Sequence, residues 1–308
     1  MNRKFMNRKF ILILPIALLV FISGCVQLPD IFGPGGKSEV NDIVTIREGI
    51  KAVPSPVAKG QSVKITVPIQ NNLPATETQV IPVNVRMTNW CSPAFTPLDV
   101  ECPEESSKVS PGAESFGCDN VEMGPQRTKT INFNLKSGDI AHKCEIKVEL
   151  EYPFESQSVT DIKFINFEDM QRQQSEGRFK PFASKEEKGK GPVKVYFHIN
   201  GEQPIPTEDS SEYRPTARLK IENAGTGSVK DSAINLVSFG AAAPDLLKCK
   251  DDKNNDIASS LSIKDVSEFV CDVKIPSHTE LPGEKEYLLI LNSDYFYKVG
   301  KTVSIEII

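Results

Sequence analysis

Between residues 43 and 167 apolar and polar residues alternate in short runs. Val63, Ile65, Val67 and Ile69 alternate with Lys64, Thr66, Pro68 and Gln70, the two-residue period of a strand with one buried face. Asn71-Asn72-Leu73-Pro74 breaks the run with turn-forming residues. Ile81, Val83, Val85 and Met87 alternate next, and Ile131, Phe133 and Leu135 after them. A last pair of strands is predicted from Cys144. Ile146, Val148, Leu150, Tyr152 and Phe154 share one face of its first strand, and residues 162–165 form the second. No segment here keeps a 3.6-residue period long enough for a structural helix. Short alternating strands between turn signals predict an antiparallel β-sandwich.

Residues 192–308 repeat this pattern. Residues 285–308 can be laid on 142–165 without a gap, so that Leu289 matches Ile146, Leu291 matches Val148, Tyr295 matches Tyr152 and Tyr297 matches Phe154. Ile305 and Ile307 then match Ile162 and Phe164. Leu219, Ile221 and Asn223 match Val67, Ile69 and Asn71, while Cys271, Val273 and Ile275 match Ile131, Phe133 and Leu135. The matches follow one chain order, which points to two related sandwiches in tandem, 43–167 and 192–308. Between them, residues 168–191 are rich in charge, with Gly189-Lys190-Gly191-Pro192 at the far end. They read as a charged linker with one or two helical turns over 167–176. Were this segment a recognition element instead, Phe179 and Phe182 would be its anchors.

The N-terminus has a different logic. Arg3, Lys4, Arg8 and Lys9 precede an apolar run from Phe10 to Ile22, and Ser23-Gly24-Cys25 follow. This is the layout of a signal peptide, residues 1–24. The run is short of the roughly 20 residues that span a bilayer, and Pro15 disfavours a permanent helix. An aliphatic residue, two small residues and a cysteine resemble the lipobox of prokaryotic lipoproteins. That resemblance implies diacylation of Cys25, a stable two-chain anchor, and a location on the outer face of the cytoplasmic membrane. An uncleaved N-terminal helix and a fully released protein are the competing readings. Residues 25–42, centred on Gly33-Pro34-Gly35-Gly36, form a flexible tether.

Besides Cys25 the chain has an even six cysteines, Cys91, Cys102, Cys118, Cys144, Cys249 and Cys271. They divide four and two between the halves. In an exported chain such a set reads as disulfides. A zinc site is the competing reading, but there is no C-x-x-C pair, and His142, His198 and His278 are scattered. Cys249 and Cys271 are the only pair in the second half and are expected to bond.

The segment 50–71, with Ser55-Pro56, Gly60-Gln61 and its alternating strand, resembles the opening of CARDB-type immunoglobulin-like domains of bacterial and archaeal surface proteins. Asn223-Ala224-Gly225-Thr226-Gly227 is similar to the Asn-x-Gly turn of that family. The first half departs there, with Asn71-Asn72-Leu73-Pro74. Together with the lipobox, the resemblance is to a prokaryotic, in particular archaeal, surface lipoprotein. It implies an all-β chain of two tandem immunoglobulin-like antiparallel β-sandwiches after the signal segment, used in adhesion or as a spacer and with no catalytic residues. In such a sandwich the third and sixth strands lie side by side, which would bring Cys91 to Cys144 and leave Cys102 with Cys118. Cys91–Cys102 with Cys118–Cys144 is the alternative pairing.

Charge and motifs narrow the function. The formal net charge of −5 and pI near 5.5 argue against nucleic acid, which needs dense Lys and Arg. Gly225-Thr226-Gly227 lacks the third glycine and helix of a nucleotide loop, and reads as a hairpin turn needing positive φ. Asp252-Lys253-Asn254-Asn255-Asp256 opens like a calcium loop, but Ile257 and Ile263 stand where Gly and Glu are required. There is no Gly-x-Ser-x-Gly elbow and no His-Glu-x-x-His helix. Trp90, the single tryptophan, is expected to pack on a disulfide or to sit in a contact loop. No enzyme, cofactor, metal or small-molecule substrate is expected. The partners would be the membrane, through the lipid anchor, and other envelope or surface proteins. The function is then structural, adhesive or protein-binding, or that of a subunit in an envelope secretion or appendage complex. Solute capture fits poorly, because its two α/β lobes would need helical patterns.

Overall fold

The alternating runs form strands in the computed structural model, which describes residues 41–47, 49–112, 114–207, 215–230, 233–241, 247–250, 260–262, 266–274, 276, 281 and 283–308. In the N-terminal half these are β1 (Val44–Ile46), β2 (Lys51–Val53), β3 (Ser62–Asn71), β4 (Ile81–Asn89), β5 (Phe95–Glu101), β6 (Ser107–Val109), β7 (Phe116–Met123), β8 (Thr128–Ser137) and β9 (His142–Asn166). Helix α1 (Phe167–Ser175) follows, begun by Asn166, whose side chain accepts from the Glu168 amide at 3.0 Å. Next come β10 (Glu186–Glu187), β11 (Val193–Ile199), β12 (Ile205–Thr207), β13 (Thr216–Asn223), β14 (Ser228–Val229) and β15 (Ala233–Ala241). The chain finishes with β16 (Leu247–Lys250), β17 (Ser260–Ser262), β18 (Val266–Val273) and β19 (Glu284–Ile307).

Two short sheets share one order. The first runs β1-β3-β8-β5, with β2 also on β3, and the second runs β11-β13-β18-β16. Their inner faces carry the apolar alternation, Val63, Ile65, Val67 and Ile69 in one, Ala217, Leu219 and Ile221 in the other, all buried. Both pack against a third, long sheet of order β17-β15-β19-β9-β4-β7-β6. Phe116 of β7 meets Phe133 of β8 edge to face at 5.3 Å across one of these cores.

The long sheet departs from the expected pair of closing strands. Residues 142–166 are one unbroken strand, and β19 pairs with it antiparallel at every residue from Glu284↔Ile165 to Ile307↔His142. The physical reason lies between Phe154 and Ile162. Glu155-Ser156-Gln157-Ser158-Val159-Thr160-Asp161 has no Gly, Pro or Asn on which to turn, and its alternation continues with Ser156, Ser158 and Thr160 buried. The result is a two-stranded ribbon about 80 Å long from the usual rise per residue. The first part of β9 pairs with β4 in the N-terminal half, and the first part of β19 pairs with β15 in the C-terminal half. Each strand starts in its own sandwich and ends in the other, where the second part of β9 is flanked by the short β10 and β12. The gapless repeat overlay places Phe296 on Pro153, and the register pairs the same two residues. A pseudo-twofold axis therefore passes through that pair. The segments 43–167 and 192–308 are joined along this seam, within one compact unit, Val40–Ile308.

Other differences have local causes. The Pro- and Ser-rich stretch between Cys91 and Cys118 holds β5, β6 and β7. Strand β7 escapes the alternation because Asn120, at φ 54°, moves its buried positions from Phe116 and Cys118 to Val121 and Met123. The charged segment after α1 is partly built into the fold. Strand β10 pairs with β9, Phe182 bridges to Gln203, and Gly189, Gly191 and Pro192 are buried.

Candidate functional site

A cluster of interacting aromatic side chains lies at the pseudo-twofold. Tyr152 and Phe154 of β9 share a buried face with Tyr295 and Tyr297 of β19. Register places Tyr152 beside Tyr297 at 5.9 Å between ring centroids and Phe154 beside Tyr295 at 6.1 Å, both tilted by 57°. The Tyr295 hydroxyl accepts from the Val193 amide at 3.3 Å. The Tyr297 hydroxyl accepts from the Gly227 amide and donates to Asn223 Oδ1, each at 2.9 Å. Burial pushes the Tyr152 and Tyr295 phenols well above their ordinary range, and Tyr297 up to about 12. At neutral pH all three are uncharged, and Tyr295 and Tyr297 use their hydroxyls as hydrogen-bonding groups.

Three backbone segments close over these rings. Asp42, just before β1, accepts from the Thr226 amide at 3.0 Å and from its hydroxyl at 2.8 Å. Gly191 has φ of 100°, and a Cβ there would come within 2.4 Å of the Phe154 ring. Gly225 and Gly227 were expected to supply positive φ, but neither has it. They are glycines because the neighbours are too close: a Cβ on Gly227 would lie 1.9 Å from the Lys298 carbonyl oxygen, and one on Gly225 would lie 2.4 Å from the Tyr297 hydroxyl. The turn is a docking surface for the ribbon.

The disulfides lie away from the axis. Cys91 and Cys144 are joined with Cα atoms 6.2 Å apart, at the end of β4 and the start of β9. Cys102, just after β5, is joined to Cys118 of β7 at 5.7 Å. Cys249 and Cys271 are register partners on β16 and β18 and are joined. Each bridge stays within its half. Trp90 packs edge to face on Phe116 at 5.8 Å and lies against the N-terminal core beside the Cys91–Cys144 bridge. Cys25, the signal segment and the 252–256 loop lie outside the described residues.

A polar cleft of about 710 Å³ opens on the outer face of the first sheet, floored by Thr45, Thr66, Pro68, Gln70 and Thr128 and rimmed by Arg47 and Lys51. It exists because β1 and β2 pair with β3 out of step, Ile46 with Ile69 and then Lys51 with Thr66, so the chain leaves the edge over 47–50. Beside it, Lys64 hydrogen-bonds Glu101, which also accepts from Asn134 and Asn132, and holds that carboxyl below its usual range. Among the described residues no group of three or more His, Cys, Asp and Glu side chains is placed to hold a metal ion.

The sequence reading identified the four rings as core positions of matching strands. It missed their pairing across the axis, although the gapless overlay of 285–308 on 142–165 carried that signal. Asp42 and Gly191 had no signal apart from their place in tether and linker.

The fold is therefore a mostly β, antiparallel protein with disulfide-closed sandwiches. No protein-family model matches the chain, and no curated protein matches it. Among solved structures it is similar to the Enterococcus faecalis MSCRAMM ACE, described as binding its ligands by the collagen hug model. The TM-score is 0.22 at 7% identity, over 87% of this chain and 96% of that one. It is also similar to the C-terminal domain of the Streptococcus agalactiae AgI/II polypeptide BspA, at a TM-score of 0.20 and 8% identity, over 82% and 93% of the two chains. Likeness at these scores carries no argument about function.

Proposed function

We propose that this chain is a membrane-anchored, extracytoplasmic lipoprotein with a non-catalytic role in adhesion or in binding other envelope proteins. Its two β-sandwiches are read as immunoglobulin-like and of CARDB type. The observation that carries the reading is the pairing of all six cysteines after Cys25 in disulfides, a chemistry of oxidising compartments. The lipobox supports the anchor, and the buried, neutral character of the clustered phenols supports a structural use of the junction. Mass spectrometry of the membrane-extracted protein should show an N-terminal peptide beginning at acylated Cys25. An intact Met1 terminus would sink the anchor. Pull-down from crosslinked membranes separates the two roles. A stoichiometric set of envelope partners points to a secretion or appendage complex, and their absence to a self-standing surface module.

A further inference from the structure

The two ends of the ribbon are related by the repeat, so either could in principle complete either sandwich. Residues 156–165 match 299–308, and an ordinary hairpin would return each segment to its own half. The structure contains the exchanged arrangement alone, and at three inward-facing positions a buried hydroxyl of one segment is replaced in the other by a side chain without one. The buried Ser156, Ser158 and Thr160 stand where β19 has Val299, Lys301 and Val303.

Those hydroxyls meet a row of backbone carbonyls on the end of the linker and on β11. Ser156 donates to the Lys190 carbonyl at 2.9 Å, Ser158 to Val195, and Thr160 to Phe197 at 3.1 Å. Val195 and Phe197 lie on β11, the edge strand of its sheet. Ser158 also accepts from the Gly189 amide at 3.1 Å. A Cβ on Gly189 would lie 2.0 Å from Ser156 Oγ, so the strap 189–192 is fitted to the serines. The N-terminal half offers a shorter row. Its matching edge strand β1 stops at Ile46, the counterpart of Val195, and the chain leaves the sheet before the counterpart of Phe197. There the inward residues of β19 are Val299, Val303, Ile305 and Ile307.

We propose that the hydroxyls of Ser156, Ser158 and Thr160 decide which sandwich the second part of β9 completes. Brought home, they would turn toward an apolar core with a truncated row of acceptors. Val299 and Val303, placed in the other slot, would leave the carbonyls of Lys190, Val195 and Phe197 without these donors. Unpaired buried polar groups penalise both steps of the return. The ladder therefore acts as a specificity code between two strand positions that the repeat makes alike in backbone path.

The test uses the full chain with a site-specific protease sequence inserted after the exposed Gly177. No disulfide joins the segments on either side, so after cleavage only non-covalent contacts hold them. The parent protein should elute as one particle containing both fragments. In S156A/S158A/T160V the fragments should separate, on the order of a hundredfold faster if each bond contributes roughly fivefold. Amides 156–165 of the freed N-terminal fragment should stay protected from hydrogen exchange, because the strand has turned home. S156T/S158T/T160S, which keeps the hydroxyls, should behave as the parent does. Co-elution of the hydroxyl-free fragments overturns the proposal. So does separation with amides 156–165 unprotected, or separation of the hydroxyl-retaining variant. If the triple variant does not fold, S158A alone carries the same readouts.

Discussion

Ile305 is numbered in the second half of the chain, yet it stabilises the first. It is 1% exposed, pairs with Cys144 in the ribbon, and faces the core of the N-terminal sandwich. Ile305→Ala removes three buried carbons, about 2.5 kcal/mol at ~0.8 kcal/mol per methylene-sized group. A partly relaxed cavity adds about 1 kcal/mol, for a total near ~3.5 kcal/mol. The destabilisation should be felt where the side chain packs. Hydrogen-exchange mass spectrometry of the whole chain should show faster exchange in β1, β3, β4 and the first part of β9, with β11, β13 and β18 changing less. Leu289→Ala, at a 2% exposed position near the start of β19, should give the converse pattern. If Ile305→Ala accelerated exchange mainly in β13 and β18, residues 299–307 would be completing the C-terminal sandwich, and the exchanged ribbon would be refuted.

Alkaline titration followed by tyrosinate absorbance should show Tyr152, Tyr295 and Tyr297 ionising late among the six tyrosines. Their folded pKa values lie above the unfolded ~10, so the stability they contribute is complete below pH ~10 and is lost as pH rises toward 12 and beyond. All six phenols titrating together near pH ~10 while the chain stays folded would contradict the buried junction. Gly227→Ala should cost ~2–3 kcal/mol in urea unfolding, because the new Cβ meets the Lys298 carbonyl of the paired ribbon, which has little room to yield; an unchanged midpoint would exclude the close approach. Replacing both Cys102 and Cys118 with serine should cost ~3 kcal/mol from the loop they close, and no shift in the urea midpoint would mean the bridge does not constrain the unfolded chain.

The strands whose buried positions keep one parity were legible in the sequence. Val63 to Ile69, Ile81 to Met87 and Ile131 to Leu135 needed nothing beyond alternation, and α1 was legible from residues 167–176. Strand β7 was not legible, because Asn120 resets its parity partway. The seam was hidden for another reason. Ser156, Ser158 and Thr160 read as polar, so they looked like the loop between two strands. In the fold their hydroxyls are buried against carbonyls that no local pattern announces. The glycines at 189, 191, 225 and 227 were legible as turn or linker residues, but their reason is contact with side chains and backbone distant in sequence.

Completion of the N-terminal sandwich by residues near 300 sets a schedule for biogenesis. Cys144 must wait for Ile305, and Leu150 for Val299, before that edge is paired. At the usual ~5–20 residues per second, the intervening ~150 residues take about 8–30 seconds to synthesise. Throughout that interval the emerging chain carries an unfinished apolar sheet edge, the kind of surface that aggregates. Folding of this chain therefore depends on holding its first half unfolded, or shielded by a chaperone, until residues 299–307 have been made.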